Sequence, residues 1–143
     1  MEELDTHTYN KIQYLCRAGD EFADKEDYQS ALRKYNEALE LLPIPKTKWE
    51  AGTWIMAAIA DIQFLSKNFE EARQILSLTL SSFPNALENP FFHLRYGQSL
   101  YELKNVKLAA HYLCGAFAME GKKIFQDEHP KYLNFLKTKI ETD

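Results

Sequence analysis

The chain has 143 residues, of which 45% are hydrophobic and 27% are charged, and this is the composition of one globular domain. Its formal net charge is −4, and no basic stripe is present, so nucleic acid is not an expected partner. No apolar run approaches the roughly 20 residues that cross a bilayer, so we expect no membrane partner either.

The N-terminus and the two cysteines together predict a cytoplasmic protein. The first five residues are acidic and lack an apolar core, so they do not have the features of a secretory signal. Cys16 and Cys114 lie far apart in the sequence, each within a helical apolar pattern. Free cysteines used as small hydrophobic residues are typical of a reduced compartment.

A pattern of small and large residues occurs three times along the chain. Ala31, Ala72 and Ala109 are each preceded by a small residue twelve positions upstream, namely Gly19, Ala60 and Gly97. A large apolar or aromatic residue follows each alanine four positions later, namely Tyr35, Leu76 and Leu113. Small residues let two antiparallel helices approach closely, and large ones fill the space beside the crossing. The pattern therefore predicts three antiparallel helix pairs.

In chain order, the first pair is predicted at about 8–24 and 28–42, the second at 48–65 and 69–82, and the third at 90–103 and 106–119. Short polar turns separate the two helices of each pair. Pro43 and Pro84 end the first two pairs because proline cannot continue a helix. The tail after Pro130 has the apolar spacing of an amphipathic helix, which we expect to cap the third pair.

This arrangement resembles the tetratricopeptide repeat (TPR) family, whose helix–turn–helix units have 34 residues. The marker alanines are 41 and then 37 positions apart, and Gln63, Thr79 and Gly121 depart from the usual pattern. The resemblance implies an all-α fold, a right-handed α-solenoid of three TPR helix hairpins with a C-terminal capping helix. Residues 1–143 would form a single TPR domain, with repeats at about 8–43, 48–84 and 89–121 and the cap at about 122–141.

Three segments resemble a narrower group of short bacterial TPR proteins that are encoded beside secreted toxins. They are 43–51 (PIPKTKWEA), 89–98 (NPFFHLRYGQ) and 127–133 (DEHPKYL). This resemblance implies an immunity or accessory role, with a toxin domain that has a basic surface as partner. A general scaffold or adaptor unrelated to toxins is the alternative.

In TPR proteins the first helix of each pair lines the concave inner surface, where a partner polypeptide binds. The predicted partner-binding residues on this concave face are Arg17, Asp20, Asp24, Trp54, Asp61, Phe64, Phe91, Arg95, Gln98 and Tyr101. Aromatic anchors flanked by carboxylates suit an apolar segment bordered by basic residues. Each aromatic residue has an alternative role, packing between repeats or against the tail. Trp49 also has two possible roles: it could form a second binding surface, or it could pack as a staple at the start of the second repeat.

We expect no catalytic residues, metal site or cofactor. The four histidines lack the spacing of zinc ligands, and no phosphate-binding glycine loop or nucleophile motif is present. Two further alternatives are self-association through Leu78, Leu80 and Phe83, which would give a homodimer, and binding of a chaperone's C-terminal carboxylate. The second is disfavoured because Asp20 would repel a carboxylate. The sequence thus predicts a non-catalytic protein–protein interaction module.

Overall fold

The computed structural model describes residues 3–140 and is helical throughout its regular structure. The helices are α1 (Thr6–Asp24), α2 (Tyr28–Glu40), α3 (Glu50–Leu65), α4 (Phe69–Ser82), α5 (Pro90–Glu102), α6 (Val106–Glu120) and α7 (Pro130–Lys137). Short 3₁₀ turns occupy Lys46–Lys48 and Gly121–Phe125. The first six helices lie within two residues of their predicted bounds. Residue 141, the predicted end of the cap, lies outside the described residues.

The helices stack as three antiparallel pairs, α1 with α2, α3 with α4 and α5 with α6. Contacts between α2 and α3 and between α4 and α5 join one pair to the next, while α3 and α5 also touch each other directly. The first helices of the pairs therefore form one layer and the second helices another. This arrangement confirms the all-α solenoid fold class. None of the described helices is both long and apolar enough to span a membrane.

The three turns within the pairs share one backbone geometry. Glu26, Lys67 and Lys104 each adopt a left-handed conformation, with φ of 59°, 64° and 69°. In each turn the next N–H donates to the carbonyl five residues earlier, over 2.8–2.9 Å, which is the Schellman motif that ends helices. These residues are spaced 41 and 37 positions apart, as the marker alanines are. The repeat therefore extends from the packing residues to the backbone of the turns.

Close approach at the helix crossings depends on the small residues that the pattern identified. Ala31, Ala60, Ala72 and Ala109 have no exposed surface. A Cβ atom on Gly97 would lie 2.7 Å from Cγ of Leu113 and 3.0 Å from its backbone nitrogen. Side chains larger than those present would therefore push the paired helices apart.

The connection between the first two pairs is fixed by two side chains. The Lys46 ammonium donates to the carbonyl oxygens of Leu39, Glu40 and Leu42 at 2.9–3.3 Å, satisfying acceptors that the end of α2 leaves open. Trp49 is 8% exposed, and its indole Nε1 donates to the Pro43 carbonyl at 2.9 Å. Trp49 therefore has the stapling role, because its ring is packed in the core and not offered to solvent.

The chain after α6 turns back at Gly121, where φ is 75°, and covers the third pair. Phe125 and Leu136 are 5% and 0% exposed and belong to the same core cluster as Leu113 of α6. Residues 121–137, called the C-terminal segment below, thus bury apolar surface that the last pair would otherwise expose to water.

Replacing Gly97 with alanine should reduce the free energy of unfolding by about 2 kcal/mol, because overpacking a crossing outweighs the helix propensity that alanine adds. Gly115→Ala is the matched control. Its Cβ would lie 3.1 Å from Nδ1 of the His93 side chain, which can shift, so we expect a change below about 1 kcal/mol. Urea unfolding of both variants measures the difference, and equal effects would contradict the proposed close contact.

Candidate functional site

The predicted partner-binding residues do not form one continuous exposed strip. Arg17, Asp20, Asp24 and Trp54 are exposed, whereas Asp61, Phe64, Phe91 and Tyr101 are partly buried and Arg95 and Gln98 are buried. The exposed residues belong to α1 and to the first half of α3. The others lie on the second half of α3 and on α5. The inner face is therefore open on the side of the first pair and covered on the side of the third.

Arg95 is at the centre of the covered part. Its guanidinium donates to Oδ1 of Asp61 at 2.8 Å, to Oε1 of Gln98 at 2.7 Å and to Oε1 of Glu128 at 2.5 Å. The Gln98 amide donates in turn to the same Glu128 oxygen at 2.8 Å. These four residues, called the Arg95 cluster below, join α3, α5 and the C-terminal segment.

The environment of the Arg95 cluster keeps the guanidinium charged. Burial alone would lower the pKa of Arg95, but the Asp61 and Glu128 carboxylates outweigh it and raise the pKa above its usual value. The guanidinium carbon also lies 4.7 Å from the centroid of the Phe64 ring and 5.5 Å from that of Phe91. Two carboxylates and two aromatic faces thus replace the water that burial removes from the cation.

Tyr132 of α7 extends this cover along the inner face. Its hydroxyl donates to Oε2 of Glu102 at 2.7 Å. Burial is the main reason why the pKa of Tyr132 lies above its usual value, and this hydrogen bond is the second. The Tyr132 ring lies 5.5 Å from the Tyr101 ring and 6.4 Å from the Phe64 ring, centroid to centroid. Lys131 adds an ion pair with the same Glu102 oxygen at 2.7 Å.

We expected Gln98 and Arg95 to be accessible to a partner on the concave face, and the structure shows that both side chains are buried. Gln98 is 0% exposed and Arg95 is 9% exposed, because Glu128 of the same chain takes the place that a partner was expected to occupy. For Phe64 and Tyr101, the alternative of packing against the tail is the observed arrangement. Whether any of these residues contacts a partner stays a prediction.

The open part of the inner face contains an aromatic pair. Tyr9 of α1 and Trp54 of α3 are each 40% exposed, and their rings meet edge to face with centroids 6.5 Å apart. They border an open depression of about 760 Å³ that Leu4, Pro84 and Asn85 also line. Tyr9 was not among the predicted binding residues, although it lies eleven positions, or about three helical turns, before Asp20 on the same side of α1. Its hydroxyl accepts a hydrogen bond from the Gln13 amide at 3.1 Å.

The carboxylates on α1 lie further along the same helix than Tyr9. Asp20 accepts a hydrogen bond from the Tyr35 hydroxyl at 2.5 Å. Burial raises the pKa of Tyr35 above its usual value, and this hydrogen bond is the second cause of the increase. Burial and the negative charge of Asp20 also raise the pKa of the Cys16 thiol to about 11. Asp24 and Arg17 stand exposed on the same helix.

Residues with metal-binding or catalytic chemistry are dispersed. Within residues 3–140, no group of three or more His, Cys, Asp or Glu side chains is placed to hold a metal ion. Nε2 of His93 lies 2.8 Å from the Leu87 carbonyl, and the His111 ring packs edge to face on Tyr112 with centroids 5.0 Å apart. Both histidines thus have structural contacts.

The fold is similar to that of solved TPR domains. The Arabidopsis OM64 TPR domain aligns with a TM-score of 0.71 and 18% identity, covering 93% of this chain and 99% of that one. The C-terminal TPR-containing domain of a Plasmodium falciparum FK506-binding protein aligns with a TM-score of 0.68 and 18% identity, covering 96% and 91%. No protein-family model and no curated protein matches the sequence. The likeness shows that the chain has the TPR fold.

Replacing Arg95 with alanine should reduce the free energy of unfolding by about 3 kcal/mol, because Glu128 and Gln98 would remain buried without the cation. Arg73→Ala is the matched control, since Arg73 also pairs with a glutamate, Glu70, but at the surface. Exposed pairs contribute little, so the control should have a much smaller effect. Urea unfolding at pH 7 checks both variants, and similar losses would contradict the structural role of Arg95.

Replacing Asp20 with asparagine should lower the pKa of Cys16, because the substitution removes a negative charge that opposes thiolate formation. At pH 9, below the folded pKa of about 11, the variant should therefore contain more thiolate and react about threefold faster with iodoacetamide. Mass spectrometry in a Cys114→Ser background isolates the Cys16 reaction. Asp24→Asn, one turn along α1, is the control, and equal rates in the two variants would contradict the assignment.

Proposed function

We propose that the protein is a non-catalytic interaction module that binds a segment of another protein at the open part of its inner face. The single observation that carries the proposal is the Tyr9–Trp54 pair. Both rings are 40% exposed beside an open depression, while most large apolar side chains of the chain are packed in the three core clusters. Tyrosine and tryptophan in a pocket are the residues on which binding energy most often concentrates.

The charges around the depression support a partner with basic residues beside an apolar anchor. Asp20 and Asp24 are exposed on α1, and Glu3 and Glu50 line the depression. Asp61 is already paired with Arg95, and Asp20 already accepts a hydrogen bond from the Tyr35 hydroxyl, so a guest would meet both carboxylates with one partner in place. Complementary charges would select the partner and speed its association, and the aromatic pair would supply contact area.

The fold supports this mode of binding without naming a partner. Stacked helix pairs form a concave surface to which each first helix contributes side chains. A fold does not determine a target, so the proposal depends on the composition of this particular surface. It places Trp54, Tyr9, Asp20 and Asp24 in contact with the guest, with Arg17 at the edge.

A finer proposal is that this protein works in the cytoplasm as an immunity or accessory protein to a bacterial toxin. Its support is the resemblance of segments 43–51, 89–98 and 127–133 to short bacterial TPR proteins encoded beside toxins. Two of these segments meet in the Arg95 cluster, where Glu128 contacts Arg95 and Gln98. Two of the three segments therefore contribute to the inner face, where a partner would bind, whereas Trp49 of the first segment is packed in the core.

Co-expression with the products of neighbouring genes tests the finer proposal. An immunity protein should form a stoichiometric complex with one of them and suppress its toxicity. A stable complex without protection would favour a scaffold or adaptor, and no complex with any neighbour would end the toxin proposal.

Self-association is the second candidate, and one exposed residue favours it. Leu78 on α4 is 51% exposed, whereas Leu80 beside it is 8% exposed and packs in the core. Only part of the expected dimer surface is thus available. Light scattering across a range of protein concentrations separates a monomer from a dimer, and a Leu78→Asp variant should abolish any dimer formed through this surface.

Replacing Trp54 with alanine should weaken partner binding by about 2 kcal/mol, or roughly thirtyfold in Kd, because it removes an anchor from the depression. Tyr9→Ala should also weaken binding, since Tyr9 supports the indole. Tyr14→Ala is the control, because Tyr14 is 67% exposed on the same helix but is not on the predicted inner side. Calorimetric titration of each folded variant with the purified partner measures the effect. Equal affinity of the Trp54 and Tyr14 variants would contradict the proposal.

A further inference from the structure

We propose that the C-terminal segment is an internal ligand of the inner face, which competes with a partner for the surface of α3 and α5. This inference rests on the proposed function and adds a regulatory element to it. In the closed state, Glu128 and Tyr132 occupy the half of the inner face that lies beyond Trp54. A partner would gain access to that half only when the segment is displaced.

Two kinds of contact hold the segment, apolar packing and hydrogen bonds from a buried carboxylate. Phe125, Tyr132 and Leu136 are buried in the core cluster that includes Leu113 of α6, and the Tyr132 ring also lies against Tyr101 of α5 and Phe64 of α3. Glu128 instead reaches Arg95 and Gln98 of α5. The Glu128 contacts and the outer edge of the Tyr132 packing therefore belong to the inner face, which a partner would use.

Covering α6 does not require a carboxylate in the groove. A terminal cap has to bury the apolar surface of the last pair and present a polar outer side, which Phe125 and Leu136 achieve. Glu128 brings a charge into a site where its carboxylate is 17% exposed, and removing a charge from water is unfavourable unless good partners replace the water. The inner face thus contains a built receptor for a carboxylate, formed by Arg95 and Gln98.

The positions of Glu128 and Tyr132 also indicate which chemical groups a competing partner segment needs. Glu128 lies in the bend before α7 and Tyr132 lies in the first turn of that helix, so the surface accepts a carboxylate and an aromatic ring from one short segment. The ring takes the place beside Tyr101 and Phe64, and the carboxylate takes the place beside Arg95. We therefore expect a partner segment in which an acidic residue and an aromatic residue follow the basic, apolar part that binds near Trp54.

The test uses the full-length protein and a fluorescent synthetic peptide of residues 121–140. The apparent dissociation constant of a ligand increases as the fraction of protein with an accessible site falls. Wild type should therefore bind the peptide weakly. Glu128→Gln keeps the size of the side chain but weakens its bond to Arg95, and should raise peptide affinity about tenfold through a larger open fraction.

Glu120→Gln is the matched control. It removes the same charge from a residue that pairs with Lys123 at the surface, and it should leave peptide affinity unchanged. A peptide that itself carries Glu128→Gln should bind the opened protein about tenfold more weakly than the native peptide. Equal peptide affinities for wild type, the Glu128 variant and the Glu120 variant would overturn the proposal.

Hydrogen exchange of the wild-type protein gives a second measurement that needs no variant to fold. If the segment opens by itself, the amides of α7 should exchange at least tenfold faster than the buried amides of α3. If α7 exchanges only as fast as α3, the segment is a permanent cap and the proposal is wrong. A negative result here with a loss of partner binding in the Trp54 variant would leave the proposed function standing. Fast exchange of α7 with unchanged partner binding in the Trp54 variant would instead remove the proposed function and, with it, the competition with a partner.

Discussion

The buried charge of Arg95 constrains the arrangement of the inner face more than any other single group. A guanidinium that is 9% exposed needs partners in place of water, because an uncompensated buried charge is strongly unfavourable. Gln98 is on the same helix as Arg95, and the other two partners come from distant parts of the chain, Asp61 on α3 and Glu128 before α7. The positions of these elements are therefore coupled through one side chain, and the surface between them is covered as a consequence.

This coupling divides the inner face into two halves of different chemistry. Around the Arg95 cluster the surface is formed by a cation, an amide and several aromatic rings, all in contact with the C-terminal segment. Around Trp54 it is formed by exposed aromatic rings and by the carboxylates of Glu3 and Glu50, with the carboxylates of α1 further along the same face. Asp61 lies at the border, paired on one side with Arg95 and 35% exposed on the other. A long guest would meet opposite charge requirements at its two ends, which would fix its direction along the groove.

The fold was predictable from the sequence because its determinants are local and periodic. Small residues such as Gly97 mark the crossings, prolines mark the ends of the first two pairs, and the small residue and the alanine are twelve positions apart in every repeat. The site was predictable only in part. Helical spacing selected Trp54 and Asp20, which are exposed, but spacing within a helix does not state which distant segment covers it. Burial of Arg95 and Gln98 follows from contact with Glu128, about 30 positions later, for which periodicity provides no signal.

The polar character of that cover has a consequence for how it opens. An apolar side chain leaving a pocket exposes hydrocarbon to water on both surfaces, and the free energy rises with the area exposed. When Glu128 leaves Arg95 and Gln98, water can hydrate the carboxylate, the guanidinium and the amide, and this offsets part of the loss. The apolar contacts of Phe125 and Leu136 with the third pair have no such compensation. The Glu128 contacts should therefore break first, and release of α7, which carries both Tyr132 and Leu136, should follow as the segment leaves the inner face.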